Sequence, residues 1–400
     1  MVSPNHEVHE VPRFGSDWLA SDISSVGLSR ARRQRVGLVG TYPPTECGIA
    51  TFTANVRDAI LTAKPHWDVE VVRLVDARPP VADATLCWVR NDSSSLEEVV
   101  DVLNDCDVVV IQHEFGIFGG RDGDEVLDLV GSLRVPVVVT LHTVLQHPSA
   151  HQRFVVQGLL DVVDLAIVPS RAALDRLHAT YSARHAVVVP HGAVSNFAPP
   201  ARDERPVVLT WGLLGPGKGI EHAIHAVSLL RDEIPNLRYV IAGHTHPNLC
   251  LDGTDPYRES LKELVSLYGV EDLVEFNDRY LDWDSLRALV RGATVVLLPY
   301  QSRDQISSGV LVEALASGRP VVATRFPHAV ELLADGAGIL VDFDDAPGMA
   351  RALRRIVAHP DVARAMGERS RRVGMTLLWP RVGLRLGRLI EEISGRARIR

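Results

Sequence analysis

The sequence predicts two successive doubly wound α/β domains facing each other across a cleft, with a C-terminal helix crossing back to the first. Three observations carry this. Short β-branched runs alternate with amphipathic stretches, and the runs are continuously apolar, as in strands buried on both faces of a parallel sheet. The alternation breaks in a proline-rich, charged segment and then starts again. A chain of 400 residues is long enough for two domains of ordinary size.

Residues 1–34 hold Pro4, Pro12, Gly15 and Gly27 without a sustained apolar period, and read as a flexible tail. The first domain, 35–195, carries the runs VGLVG at 36–40, VEVVRLV at 69–75, DVVVIQ at 107–112, PVVVTLH at 136–142, DLAIV at 164–168 and AVVVP at 186–190. Residues 196–206, NFAPPARDERP, form the linker. The second domain, 207–378, opens with PVVLTWG at 206–212. It continues with LRYVIAG at 237–243, LVEF at 273–276, ATVVLLP at 293–299, PVVAT at 320–324 and GILV at 338–341. Residues 379–400 form the last helix. Ligands of such sheets bind beyond the carboxyl ends of the strands, so functional residues are sought just after each run.

Composition narrows the class. The chain is 46% hydrophobic and 23% charged, and no stretch approaches the roughly 18 to 20 apolar residues of a spanning helix. Glu7, Glu10, Asp17 and Asp22 occupy the region where a signal peptide needs an apolar core. Cysteines 47, 87, 106 and 250 lack C-x-x-C spacing, which suits reduced thiols and a cytoplasmic protein. The net charge of −8 is uneven: residues 351–400 carry 13 arginines against four acids, a net +9, leaving −17 on the remainder. A basic tail of this kind offers weak peripheral contact with anionic headgroups at the inner membrane face; a solvated amphipathic helix pair is the simpler account. Nothing points to nucleic acid.

The first strand runs into TYPPTECGIATF, where Gly48 precedes a helix whose N-terminal amides suit an anion, although such a glycine also serves a plain turn. His113 and Glu114 follow one strand and His142 ends another, all on the expected ligand side; His147, His151 and His191 are less persuasive. Asp122 and Asp124, and the cluster Asp342, Asp344 and Asp345, lack companion ligands at metal spacing, so no metal is expected. Gly212 to Lys218 satisfies the first part of a P-loop, yet position 219 is glycine where Mg²⁺ binding needs a hydroxyl. What remains is a glycine-rich turn with one of only three lysines in the chain, able to meet a diphosphate without a metal. Finally, Gln305, Ser307, Ser308 and Gly309 lie behind a strand and Glu313 one turn into the next helix; a serine here also serves as a helix cap.

These motifs together resemble the retaining glycosyltransferases of the GT-B fold, in particular family 4. The resemblance runs from about residue 36 to the end. It rests on Gly212-Leu213-Leu214…Lys218-Gly219, on Gln305…Glu313-Ala314-Leu315-Ala316-Ser317-Gly318-Arg319-Pro320-Val321-Val322-Ala323, and on the helix that begins at Trp379. It implies a metal-independent, cofactor-free hexosyltransferase that uses a nucleoside-diphosphate sugar of the GDP-mannose or UDP-hexose class. By the same resemblance, Glu313 takes the ribose hydroxyls and Lys218 the diphosphate. Gly48, Ile49, Gly212, Ser307, Ser308, Gly309 and Val310 complete the donor site. His142, Lys218 and Gln305 are the catalytic candidates, and His113 and Glu114 the acceptor-side ones. The sequence departs from the family pattern at Leu213 (usually Arg), at Gln305 (usually Glu) and at Pro190-His191-Gly192 (usually P-N-G), and so resembles a subgroup. A non-catalytic sugar-nucleotide sensor is the alternative, followed by a related epimerase or phosphorylase. The acceptor stays open among glycan, lipid and small metabolite.

Overall fold

A computed structural model describes residues 33–79, 86–197, 205–245, 249, 254–278 and 281–397. The expected tail up to residue 32 and the linker from 198 to 204 lie outside these. The first sheet contains β1 (Arg35–Gly40), β2 (Asp68–Val75), β3 (Leu86–Val89), β4 (Val108–His113), β5 (Val137–Leu141), β6 (Leu165–Val168) and β7 (Ala186–Val188), in the order β3-β2-β1-β4-β5-β6-β7. The second contains β8 (Val207–Trp211), β9 (Arg238–Ala242), β10 (Val274–Asn277), β11 (Val295–Leu298), β12 (Val321–Thr324) and β13 (Gly338–Val341), in the order β10-β9-β8-β11-β12-β13. All pairings between these strands are parallel. Every apolar run read from the sequence is a strand. The strand missed is β3, a four-residue edge strand in which only Trp88 is buried, too short to show a pattern.

This strand order explains where the site is. In each sheet the order reverses between the first strand and its later neighbour, β1 with β4 and β8 with β11, and the loops beyond that switch point diverge to leave a crevice. The four loops that leave β1, β4, β8 and β11 carry Gly48, His113 and Glu114, Lys218, and Gln305 to Glu313 respectively.

The chain crosses between the domains at two adjacent places. Ala193 N–H donates to Leu377 O at 2.9 Å and Trp379 N–H donates to Ala193 O at 3.0 Å, so the outgoing and returning strands brace each other. Gly192 lies flat against the Trp379 ring, where any Cβ would overlap the indole. From there α13 (Trp379–Ala397) packs on α1 (Gly48–Ala63). Trp379, Val382, Leu386, Ile390 and Ile393 join Val56, Ala59, Ile60 and Trp67 in one buried cluster.

The basic tail is thus an amphipathic helix docked by its apolar side, the simpler of the two accounts of its charge. An ion pair at this interface joins Lys64, the residue that caps the C-terminus of α1, to Glu391 on α13, and the Glu391 side chain is 45% exposed. A half-exposed pair contributes about 0 to 1 kcal/mol, whereas burying one large aliphatic side chain contributes about 1.5 to 3. Apolar burial therefore holds the helix in place, while Arg381, Arg385 and Arg388 stay on its exposed side.

The second domain also reaches into the first. Ile306, from the loop after β11, is 2% exposed and sits in the first domain's core cluster. Next to it, Arg176 of α5 (Arg171–Thr180) donates to the Asp304 carboxylate at 2.9 Å. The Glu331 carboxylate of α10 (Pro327–Leu333) accepts the Arg171 and Ala172 N–H groups at 3.1 and 3.2 Å, capping α5 across the domain boundary.

Candidate active site

The crevice is a cleft of about 290 Å³ with walls from both domains. One wall is the start of α1. Cys47 caps it, its sulfur accepting the Ala50 N–H at 3.3 Å, and the helix entry leaves the Gly48 and Ile49 amides with no acceptor among the described residues. Gly48 lines the cleft, and a Cβ there would meet nothing. The opposite wall is α9 (Gly309–Ala316), where Gly309, Val310 and Glu313 face the opening. Both N-terminal ends therefore bring partial positive charge to the same space.

Glu313 is the carboxyl in the cleft wall whose titration this setting alters. Burial pushes its carboxyl up to about 7, against a smaller opposing pull from the Arg287 guanidinium. A carboxylate held in the wall of a cleft with so little compensation is a mark of a functional position.

The glycine-rich turn after β8 is built as the sequence implies. Gly212, Gly217 and Gly219 all have positive φ, and a side chain on Gly219 would collide with Pro299 O. Gln301 N–H donates to Gly217 O at 2.8 Å, tying this turn to the loop after β11. Gly212 lines the cleft, but the Lys218 ammonium does not: it rests on the Tyr300 ring, 4.5 Å from the centroid.

His142 is partly accessible but is not among the residues lining the cleft; it meets Phe52, which is, and its Nε2 lies 2.9 Å from Gln112 Oε1. Phe52 meets the His142 ring edge-on at 4.7 Å and the His191 ring at 4.9 Å. Burial first, then the nearby His191 and His113, lowers His142 to about 3, so the ring is neutral near pH 7. An imidazole this weakly basic accepts a hydrogen bond but is a poor general base. Burial lowers His191 to about 4.

Several expected residues are placed elsewhere. His113 does not reach the cleft: it is fully buried between Phe115 and Phe118, and neither ring nitrogen has a hydrogen-bond partner among the described residues. Glu114 is occupied by neighbouring loops, accepting the Thr143 hydroxyl after β5 at 2.5 Å and the Phe115 N–H of its own loop at 2.9 Å. Ser308 spends its polar groups internally. Its N–H donates to His328 Nδ1 at 2.9 Å and its hydroxyl caps Leu311 N–H at 3.2 Å, so its amide is not offered to a ligand. The Gln305 amide donates to Ser307 O and so braces the loop. Ser307 is half-buried in that loop and does not line the cleft.

Sequence reasoning passed over several cleft residues, Phe52 and Trp283 among them, and ranked His191 low. His191 carried a signal, since it stands in the segment that closes the first domain, and its Nε2 lies where a Gly309 Cβ would come within 3.0 Å. Phe52 and Trp283 sit on amphipathic helices, where an aromatic residue reads as core.

Comparison with known proteins agrees with this geometry. Residues 194–373 match the family described as glycosyl transferases group 1, so the second domain is a glycosyltransferase group 1 domain. The chain is 33% identical over 204 residues to a GDP-mannose-dependent alpha-(1-6)-phosphatidylinositol monomannoside mannosyltransferase of Mycolicibacterium smegmatis, covering 49% of this chain and 50% of that protein. It is 29% identical over 290 residues to a D-inositol 3-phosphate glycosyltransferase of Corynebacterium glutamicum, covering 65% of this chain and 67% of the relative. The chain thus spans half the length of the first relative and two thirds of the second. Among solved structures, sucrose-phosphate synthase of Thermosynechococcus elongatus superposes with a TM-score of 0.73 at 21% identity, over 91% of this chain and 100% of the other. HepE of Anabaena in complex with UDP gives 0.71 at 17%, over 90% and 100%. The fold is GT-B. No described helix is long and apolar enough to cross a membrane.

Proposed function

We propose that this chain is a glycosyltransferase that moves a hexosyl group from a nucleoside-diphosphate sugar to an acceptor hydroxyl with retention of configuration and without a divalent metal. The observation that carries the reading is the pairing in one cleft of the buried Glu313 carboxyl with the N-terminal ends of α1, at Gly48, and of α9, at Gly309 and Val310. Glu313 accepts hydrogen bonds from the ribose hydroxyls, and the helix-end amides meet the diphosphate. A GDP-mannose or UDP-hexose donor is supported by the GDP-mannose dependence named for the mycobacterial relative and by the UDP bound to HepE.

Lys218 joins the diphosphate by leaving Tyr300. The Tyr300 ring is buried, so the cation over it contributes up to about 2 kcal/mol; a diphosphate that accepts two or more hydrogen bonds from the ammonium, at about 1.5 to 3 kcal/mol each, outcompetes the ring. As the bond from the anomeric carbon to the diphosphate oxygen breaks, the acceptor oxygen bonds the same face and its proton passes to the departing phosphate oxygen. Lys218 and the oriented amides stabilise the charge gathered on that leaving group. His142, neutral, accepts a hydrogen bond from a sugar or acceptor hydroxyl. Gln305 acts by holding the loop that presents α9.

Incubation with a panel of UDP-, GDP- and ADP-sugars, followed by mass spectrometry, tests the reading. Slow hydrolysis of one donor, releasing sugar of the donor's own anomeric configuration, is expected. Release from none of them contradicts catalysis. Donor binding without release identifies the non-catalytic sensor instead.

A further inference from the structure

The hydrogen-bond partner of His142 has no role in the mechanism above, and its position defines one. Gln112 lies near the end of β4, 1% exposed, in a strand that pairs with β5 just before His142. Its side chain borders a small cavity of about 10 Å³, lined chiefly by apolar groups including Phe52, Val56, Val138 and Val382. The polar contact it makes from there is Oε1 to His142 Nε2 at 2.9 Å, and its own Nε2 has no partner among the described residues. A buried amide group left unpaired is costly, on the order of 1 to 3 kcal/mol, so an apolar residue at position 112 would be the more stable choice if packing were its purpose.

We propose that Gln112 is the positioning residue for His142. Its carbonyl accepts the proton on Nε2 and thereby leaves Nδ1 as a lone-pair acceptor. A neutral imidazole has one donor and one acceptor nitrogen, and the group bonded to one decides the character of the other. The surroundings supply no rival for this choice. His113 and His191, the titratable neighbours of the ring, are both neutral, and Phe52 covers the ring edge-on without a hydrogen bond. The ring plane is fixed by the same pair of contacts, Gln112 at Nε2 and Phe52 at its side. The consequence for transfer rests on the proposed function; the tautomer itself does not.

The test is long-range proton–nitrogen NMR of the ligand-free protein labelled with ¹⁵N-histidine, the His142 signals being identified by their loss in His142→Asn. The expected result is the Nε2–H tautomer in the wild type. In Gln112→Leu, which removes the acceptor, the signals should shift to a mixture of tautomers or to Nδ1–H. In Gln112→Glu, which keeps an acceptor and adds negative charge, the Nε2–H bond should persist and the His142 titration should move upward in pH. An Nδ1–H tautomer in the wild type, an unchanged tautomer in Gln112→Leu, or His142 signals indifferent to Gln112→Glu would each overturn the proposal. The last outcome keeps it falsifiable should the leucine variant not fold. Because no substrate is present, failure here is distinct from failure of the glycosyltransferase reading. With an active donor in hand, Gln112→Leu should lower turnover about ten-fold while leaving donor KM within about two-fold.

Discussion

Replacing Glu313 by glutamine should make the protein more stable and its donor binding weaker, with a pH dependence that identifies the cause. The carboxyl sits at about 7 against an ordinary 4.5, and the largest cause is burial. A shift of that size corresponds to about 3 kcal/mol favouring the protonated form in the folded state. The folded value lies above the unfolded one, so this stability is fully present below about pH 4.5 and is lost as pH rises through 7. At pH 8 the wild type therefore carries a buried carboxylate at a cost of about 3 kcal/mol that Glu313→Gln does not incur. Urea unfolding of both proteins at pH 5 and pH 8 reads the difference. The variant should gain up to about 3 kcal/mol at pH 8 and little at pH 5. Nucleoside diphosphate affinity should move the opposite way, weakening by about 1 to 3 kcal/mol because the amide cannot accept two ribose hydroxyls as a carboxylate does. For the same reason wild-type affinity should fall as pH drops below about 7. Equal stability changes at pH 5 and pH 8 would refute the claim that Glu313 is a desolvated carboxyl held ready for a ligand.

Lys218→Ala should weaken nucleoside diphosphates by about 1 to 3 kcal/mol and leave the bare nucleoside unaffected, as calorimetry with both ligands would show. Trp379→Ala removes an indole that is 7% exposed where the chain crosses between domains, and should cost about 3 to 5 kcal/mol in thermal or urea unfolding. Donor hydrolysis should be unchanged by EDTA, since Lys218 and the helix-end amides are proposed to carry the leaving-group charge; loss of activity restored by Mg²⁺ would contradict that assignment.

The fold was legible because strands of a buried parallel sheet are apolar on both faces, and each such run in this sequence became a strand. Edge strand β3 was not, since LCWV buries one side chain and carries no run. The site was legible at the level of loops. Gly48, Lys218 and Gln305 to Glu313 follow β1, β8 and β11, which flank the switch points, and that much follows from strand order alone. Side-chain direction was not. His113 and His142 both end at the tips of neighbouring strands, yet one is enclosed by Phe115 and Phe118 while the other meets Gln112 and Phe52. In a strand apolar on both faces, the pattern does not reveal which face a polar residue takes. Nor does a motif state how its polar atoms are spent: Ser308 and Gln305 fit the block in sequence, and the fold uses both to build the loop. Net charge was the weakest guide, because the helix from Trp379 is rich in arginine but docks through Val382, Leu386 and Ile390.

The cleft between α1 and α9 is proposed to bind a nucleoside diphosphate through Glu313 and the helix ends opposite it. Isothermal titration of the purified protein with UDP, GDP and ADP checks this without any acceptor. Saturable one-to-one binding of at least one of them, weakened by Glu313→Ala, is expected. Absence of binding by all three, or binding that Glu313→Ala leaves unchanged, would contradict it.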